Sequence, residues 1–140
     1  MPLPKQYAQS ERPLHPYLRA YSDSFCYDKF FDEVKLKQAI AAYYGLCTFL
    51  DDNIGKVLRT LDATGLTENT RVLYTSDHGD NLGARGLWGT STMYEEAAGV
   101  PLLIKGPALS SGVNITEPAN HVDPSPLIPE APGPPVPAAL

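Results

Sequence analysis

What the 140 residues lack narrows the field first. Lys and Arg number 11 against 16 Asp and Glu, a formal charge of -5, and no stretch gathers basic residues. Affinity for nucleic acid or an anionic membrane is built from clustered Lys and Arg, so neither partner is expected. No apolar stretch approaches the roughly 18–20 residues that span a bilayer, and Met1-Pro-Leu-Pro-Lys-Gln6 has neither the charged start nor the apolar centre of a secretion signal. A soluble, cytoplasmic chain is expected. Cysteine is scarce too: Cys26 and Cys47 stand in unrelated contexts without C-x-x-C spacing, so neither a zinc site nor a disulfide framework is signalled. Both are expected to be packing or incidental thiols.

The length suits about one domain, and the composition, 43% hydrophobic and 19% charged, is ordinary for a globular core. The first thirty residues carry aromatics and prolines without a sustained period, and read as an extended lead-in with one helical turn near Tyr17 to Tyr21. From Asp32 the pattern changes. Leu36, Ile40, Tyr43, Cys47, Leu50, Ile54, Val57 and Leu61 recur at steps of four and three, which is one face of a long helix. Asp32 suits its N-cap, Glu33 the positive end of its dipole, and Ala63-Thr-Gly65 its stop. A helix of about 30 residues runs ~45 Å and needs a broad sheet or partner helices to lie on. Gly45 and Gly55 inside it are expected to mark either close approach of another backbone or a slight bend.

Arg71-Val-Leu-Tyr-Thr-Ser76 reads as a short strand because β-branched and aromatic residues suit a pleated, buried surface, and Val100-Pro-Leu-Leu-Ile104 as a second. Between them Gly79 to Gly89 holds four glycines and must be loop. Strand, helix and strand in one chain predict a parallel α/β sheet, of which only two strands are evident, so part of the sheet is missing. Beyond Asp123 the chain holds seven of its 14 prolines and is expected to be a disordered or polyproline-like tail, residues 124–140. Asn114-Ile-Thr116 has the form of a glycosylation sequon, which matters only in a secreted protein.

The chemistry gathers where the first strand stops, at Tyr74-Thr-Ser-Asp-His-Gly-Asp80. Asp77 and His78 would stand at the carboxyl end of a strand, the end at which open α/β sheets bind ligands. A carboxylate beside an imidazole suits a metal ion; the plainer alternative is a capping aspartate with a surface histidine. A calcium loop is rejected, since Gly79 and Leu82 interrupt the required ligands. Asp51 and Asp52 are adjacent on the helix and point about 100° apart, so they are not an acid–base pair. His15 in the polar lead-in and Arg85 in the glycine-rich loop are substrate-side candidates, each with a solvated surface role as its alternative.

Tyr74-Thr-Ser-Asp-His-Gly-Asp-Asn-Leu-Gly83, Gly86-Leu-Trp-Gly89, Met93-Tyr-Glu-Glu96 and Val100-Pro-Leu-Leu-Ile-Lys-Gly-Pro107 together resemble the C-terminal part of the sulfatase catalytic domain. The choline-sulfatase and phosphonate monoester hydrolase-like branch of the alkaline phosphatase superfamily is the most similar. Ala42-Tyr-Tyr-Gly45 and Leu50-Asp-Asp-Asn-Ile-Gly55 agree, and the resemblance runs from about Leu14 to Asp123. It implies a partial three-layer α/β/α, alkaline-phosphatase-like fold over residues 1–123. It also implies hydrolysis of small sulfate, phosphate or phosphonate esters at one divalent metal ion, Mn, Zn, Ca or Mg, which acts as a Lewis acid. Asp77 and His78 would be metal ligands, completed by upstream acidic residues outside this chain.

Three departures from the family pattern accompany the resemblance. Neither Cys26-Tyr-Asp-Lys29 nor Cys47-Thr-Phe-Leu50 matches the C/S-x-P-x-R motif that supplies the family's nucleophile, so no catalytic nucleophile is assigned. Thr90 stands where the family usually places a substrate-contacting lysine, and its hydroxyl brings no positive charge. His121-Val-Asp123 resembles the start of a family helix that the prolines beyond cannot continue. The expectation is a sulfatase-type hydrolase fragment, inactive alone and prone to self-association; the alternative is a non-catalytic remnant or an interaction fragment with weak metal or anion binding.

Overall fold

The computed structural model describes residues 1–30 and 32–124, so the expected proline-rich tail falls, from residue 125 on, outside the described residues. A 3-10 turn at Gln9–Glu11 leads into helix α1 (Pro16–Ser24), which the sequence foreshadows only as a single turn. Pro16 opens it without cost, because the first turn of a helix has no use for that N–H. Its N-cap is His15, whose Nδ1 accepts the Tyr17 N–H at 3.2 Å.

Helix α2 spans Glu33–Ala63, 31 residues, and starts where the sequence places it. One Asp32 carboxylate oxygen accepts the Val34 and Lys35 N–H groups at 2.8 and 3.0 Å, satisfying two of the donors that every helix start leaves orphaned. At the other end the Leu66 N–H returns to the Leu61 carbonyl, and Gly65, at φ 70°, makes the left-handed turn that this closure requires.

Strand β1 (Val72–Thr75) and strand β2 (Leu102–Lys105) form a two-stranded sheet. They pair antiparallel, Val72 opposite Lys105 and Thr75 opposite Leu102, which corrects the expected parallel arrangement. The reason lies in the connection. A parallel pair needs a crossover that carries the chain back to the starting end of the sheet, usually by an α-helix laid along it, but α2 precedes β1, and the path from β1 to β2 contains only a 3-10 turn (Ala84–Gly86) and the four-residue helix α3 (Glu95–Ala98). That path doubles back along the sheet and returns β2 head to tail.

The register places Val72, Tyr74 and Leu103 on one face and Leu73, Leu102 and Ile104 on the other, so the sheet is apolar on both sides. The first face looks across a trough of about 590 Å³ toward Cys47, Leu50, Ile54 and Leu58 of α2. The buried hydrophobic residues sit elsewhere: Leu36 and Ile40 of α2, with Leu36 against Gly83, and Ala84, Leu87 and Ala97 of the β1–β2 connection. Beyond Ile40 the helix face thins out: Leu50 and Val57 are exposed, as are Leu46 and Phe49. The expected approach of another backbone to the helix glycines is absent among the described residues. A Cβ on Gly45 would meet nothing within 4 Å, and one on Gly55 only the Arg59 side chain. No described helix is long and apolar enough to cross a membrane.

Candidate metal and anion site

Asp77 and His78 follow β1 directly and are both exposed. One Asp77 oxygen accepts the His78 N–H at 3.0 Å and the Ser76 hydroxyl at 3.3 Å. The His78 N–H first, and then the nearby imidazole, hold this carboxyl below its ordinary value. The other oxygen, Oδ2, lies 3.5 Å from His78 Nε2. On the far side of the ring, Nδ1 is 3.1 Å from the Gly79 carbonyl. A carbonyl can only accept, so Nδ1 carries the proton, and in the neutral imidazole Nε2 presents a lone pair.

A backbone acceptor behind a histidine is the usual outer-shell partner of a metal ligand, since it fixes the tautomer and the ring. Nε2 and the spare Asp77 oxygen are two electron-rich atoms 3.5 Å apart, close enough to share one cation. They are a partial set: no group of three or more His, Cys, Asp or Glu that could hold a metal occurs among the described residues. The pair fits the metal implied by the resemblance as two ligands to be completed by others.

Gly79 sets this pair against the rest of the chain. Its N–H donates to the Ala97 carbonyl at 2.8 Å, and a side chain there would collide with the Glu96 carbonyl oxygen. From Asp80 the loop is stapled internally. One Asp80 oxygen accepts the Leu82 N–H at 2.8 Å and the Gly89 N–H at 3.2 Å. Asn81, 1% exposed, sends its side-chain N–H to the Gly89 carbonyl at 2.6 Å and accepts the Thr92 hydroxyl at 3.1 Å. The result is a closed loop that carries half-buried Thr90.

The remaining candidates are placed as follows. Arg85, at φ 54°, is only 18% exposed along its side chain; it pairs with Glu96 at 2.8 Å and lies 4.0 Å over the Tyr94 ring. Its charge is thus engaged within the chain and not solvated. His15 caps α1 at the surface. Cys26 and Cys47 are both exposed thiols, Cys47 lining the apolar trough under α2.

A residue that sequence reasoning left out of the site is His121. Its Nε2 donates to the carbonyl of Ser76 at 2.7 Å, which brings a second histidine next to the Asp77 backbone from 45 residues away. The turn that carries it is tied by the Asn120 N–H to Asp123 Oδ2 at 2.6 Å and the Val122 N–H to Asn120 Oδ1 at 2.8 Å. The sequence singled out His121-Val-Asp123 only as resembling the start of a family helix, and neither that nor the Asn120-His-Val-Asp123 turn chemistry says where the turn docks.

Comparison with known proteins gives the family of the chain. The Sulfatase family model matches residues 2–130. The chain is 36% identical over 101 residues to the choline-sulfatase of Rhizobium meliloti (strain 1021), a match covering 72% of this chain and 20% of that protein. It is 34% identical over 140 residues to arylsulfatase K of Bos taurus, covering 99% of this chain and 25% of the relative. It is also 34% identical over 114 residues to the multifunctional alkaline phosphatase superfamily protein PehA of Trinickia caryophylli, covering 74% and 22% respectively. The chain thus spans a quarter or less of each of these relatives; it belongs to the sulfatase family and represents part of that family's domain.

Proposed function

We propose that this chain supplies the Asp77–His78 and Thr90 loops of a sulfatase-type, metal-dependent hydrolase of sulfate or related phosphate and phosphonate esters. The observation that carries the reading is the convergence of Asp77 Oδ2 and His78 Nε2 at 3.5 Å, with the ring tautomer set by the Gly79 carbonyl. When bound there, a divalent ion would act as a Lewis acid toward the ester oxygens. Asp77 and His78 would hold it with upstream carboxylates, and the loop ending at Thr90 would face the substrate anion. The two apolar faces of the β1–β2 sheet support a middle position in a three-layer α/β/α fold, because only a sheet covered on both sides by helices profits from apolar residues on both.

The test joins this chain, in one polypeptide, to the portion of the Rhizobium meliloti choline-sulfatase that lies outside the match. Turnover of choline sulfate, an aryl sulfate and a phosphonate monoester is then measured with and without divalent metal. Metal-dependent turnover abolished by Asp77→Ala is expected. Turnover that survives both Asp77→Ala and His78→Ala would sink the assignment. The isolated chain is expected to turn over none of these esters, because it encodes no C/S-x-P-x-R nucleophile motif.

A second reading is favoured by one residue. Thr90 is neutral where the family resemblance expects a lysine, and Arg85 is already committed to Glu96, so neither supplies a fixed positive charge to an anion. On that reading the chain is a binding remnant with weakened chemistry. Thr90→Lys in the joined enzyme decides between the two: a gain of about tenfold or more in turnover marks a disabled but catalytic design. Equal turnover of both versions means another cation already fills the role, and no turnover by either version in a protein that still binds metal marks a remnant.

A further inference from the structure

Three consecutive backbone groups just before Thr90 are gripped by four side chains. The Trp88 carbonyl accepts from the Tyr27 hydroxyl at 3.1 Å and from the Tyr21 hydroxyl at 3.4 Å, across 61 and 67 residues of sequence. The Gly89 N–H donates to Asp80 at 3.2 Å. The Gly89 carbonyl takes both the backbone N–H of Asn81, at 2.9 Å, and its side-chain N–H, at 2.6 Å. Gly89 sits at φ 71°, and a Cβ there would stand 3.5 Å from the Tyr21 hydroxyl and 3.8 Å from that of Tyr27.

This is more than the satisfaction of a turn. One donor suffices for a half-buried carbonyl, yet Trp88 receives two, occupying both of its lone pairs. The tyrosines are themselves pinned: their hydroxyls lie 3.4 Å apart, and their rings pack edge to face at 5.7 Å with Phe25 stacked on Tyr27 at 5.4 Å. Burial and the neighbouring Tyr21 hydroxyl push the Tyr27 phenol up, so it remains a donor through the whole physiological range. The peptide planes on either side of Gly89 are therefore each tied by hydrogen bonds, and they lead directly into residue 90.

We propose that Tyr21 and Tyr27 are positioning residues for the anion-contact position 90, clamping the Trp88–Gly89 backbone that leads into it and so holding residue 90 in one place on the loop. The proposal rests on the reading of position 90 given above. It has a chemical motive: an anion donor displaced by about 1 Å loses much of its effect, so a loop that carries one profits from a rigid support.

The test uses the full chain carrying Thr90→Lys, which restores a charge at that position, titrated with inorganic sulfate and followed by NMR at the amides of residues 89 to 91. Sulfate is expected to shift residue 90. Adding Tyr21→Phe and Tyr27→Phe together should weaken sulfate binding about fivefold or more and speed exchange of the Gly89 N–H about tenfold. Tyr27→Phe alone, which leaves Tyr21 on the carbonyl, should weaken binding about twofold, and serves if the double variant fails to fold. Tyr17→Phe removes a hydroxyl from the ring stacked on Tyr21 without touching the clamp, and should change neither readout. Unchanged sulfate affinity in the folded Tyr→Phe variants, even with reduced thermal stability, would show the tyrosines to be structural only and overturn the proposal. Absence of any sulfate response at residue 90 in the Thr90→Lys chain would instead overturn the reading of position 90, and the proposal with it.

Discussion

Adding one methyl group at Gly79 and one at Gly45 should move stability in opposite directions. The φ of Gly79 is one that any residue adopts, so the cost is steric alone. A Cβ there collides with the Glu96 carbonyl oxygen and would lie 3.2 Å from the Glu96 carbonyl carbon and 3.6 Å from the Ala97 Cα. All three are backbone atoms, which cannot swing aside as a side chain would. Relief requires moving α3 away from β1, at about 1–3 kcal/mol for overpacking, and weakening the Gly79 N–H bond to Ala97, at about 1 kcal/mol. The expected loss is about 2–4 kcal/mol. Gly45 is the mirror case: its Cβ would enter open space in a helix interior, where Ala is favoured over Gly by about 1 kcal/mol. At about 3–5 °C per kcal/mol for a chain of 140 residues, Gly79→Ala should lower the thermal midpoint by about 6 °C or more. Gly45→Ala should raise it by about 3–5 °C. Thermal melts followed by circular dichroism and by calorimetry measure both. Equal midpoints for Gly79→Ala and the parent would refute the packing of the Asp77–His78 turn against Glu96 and Ala97.

Three further outcomes are expected. Asn81→Ala leaves the buried Thr92 hydroxyl without its acceptor and frees the Gly89 carbonyl from one donor, a loss of about 2–3 kcal/mol measurable by urea titration; Asn81→Asp, which keeps an acceptor for Thr92 but no donor for Gly89, should also destabilise. Leu46 and Phe49 are each 67% exposed, so the pair Leu46→Glu with Phe49→Glu should reduce self-association in sedimentation velocity while leaving the melt of the core unchanged. Asp32 is held below its ordinary 3.8 first by the Lys35 N–H, then by the Val34 N–H and the Lys35 charge. A depressed carboxyl stabilises the folded state above the unfolded value and loses that contribution as pH falls through the lower folded value. Helix content should therefore drop below about pH 3.8 in the parent, and Asp32→Asn, which caps without titrating, should remove that component of the acid transition.

Helix α2 was legible because its signals are local: the Leu36 to Leu61 period, the Asp32 cap and the Gly65 stop each act within a few residues. Both strands were legible for the same reason. Their pairing was not, since the sense of β2 depends on the route of the connecting loop, and that route is set by Gly79 against Ala97 and Asn81 against Gly89. In the site, Asp77 and His78 stood out as residue types at a strand end. The setting of the His78 ring by its own Gly79 carbonyl required coordinates. Arg85 misled because an arginine in a glycine-rich loop suggests a free charge; its pairing with Glu96 and Tyr94 closes over nine to eleven residues that carry no helical period. His121 and the two clamping tyrosines were beyond reach, because bonds spanning 45 to 67 residues leave no trace in a local pattern.

The β1–β2 sheet has two outer edges that carry no further strand among the described residues. A strand edge is a row of donors and acceptors that will pair with whichever extended segment arrives first, and arrival is a matter of concentration. A neighbouring strand tethered in the same polypeptide is present at an effective concentration on the order of millimolar, whereas another copy of this chain in an ordinary preparation is present at roughly micromolar. A strand so tethered fills an edge about a thousand times more readily than a stranger does. Separated from such a tether, the same four-residue strands become indiscriminate, and the amount of protein in the tube decides what they pair with.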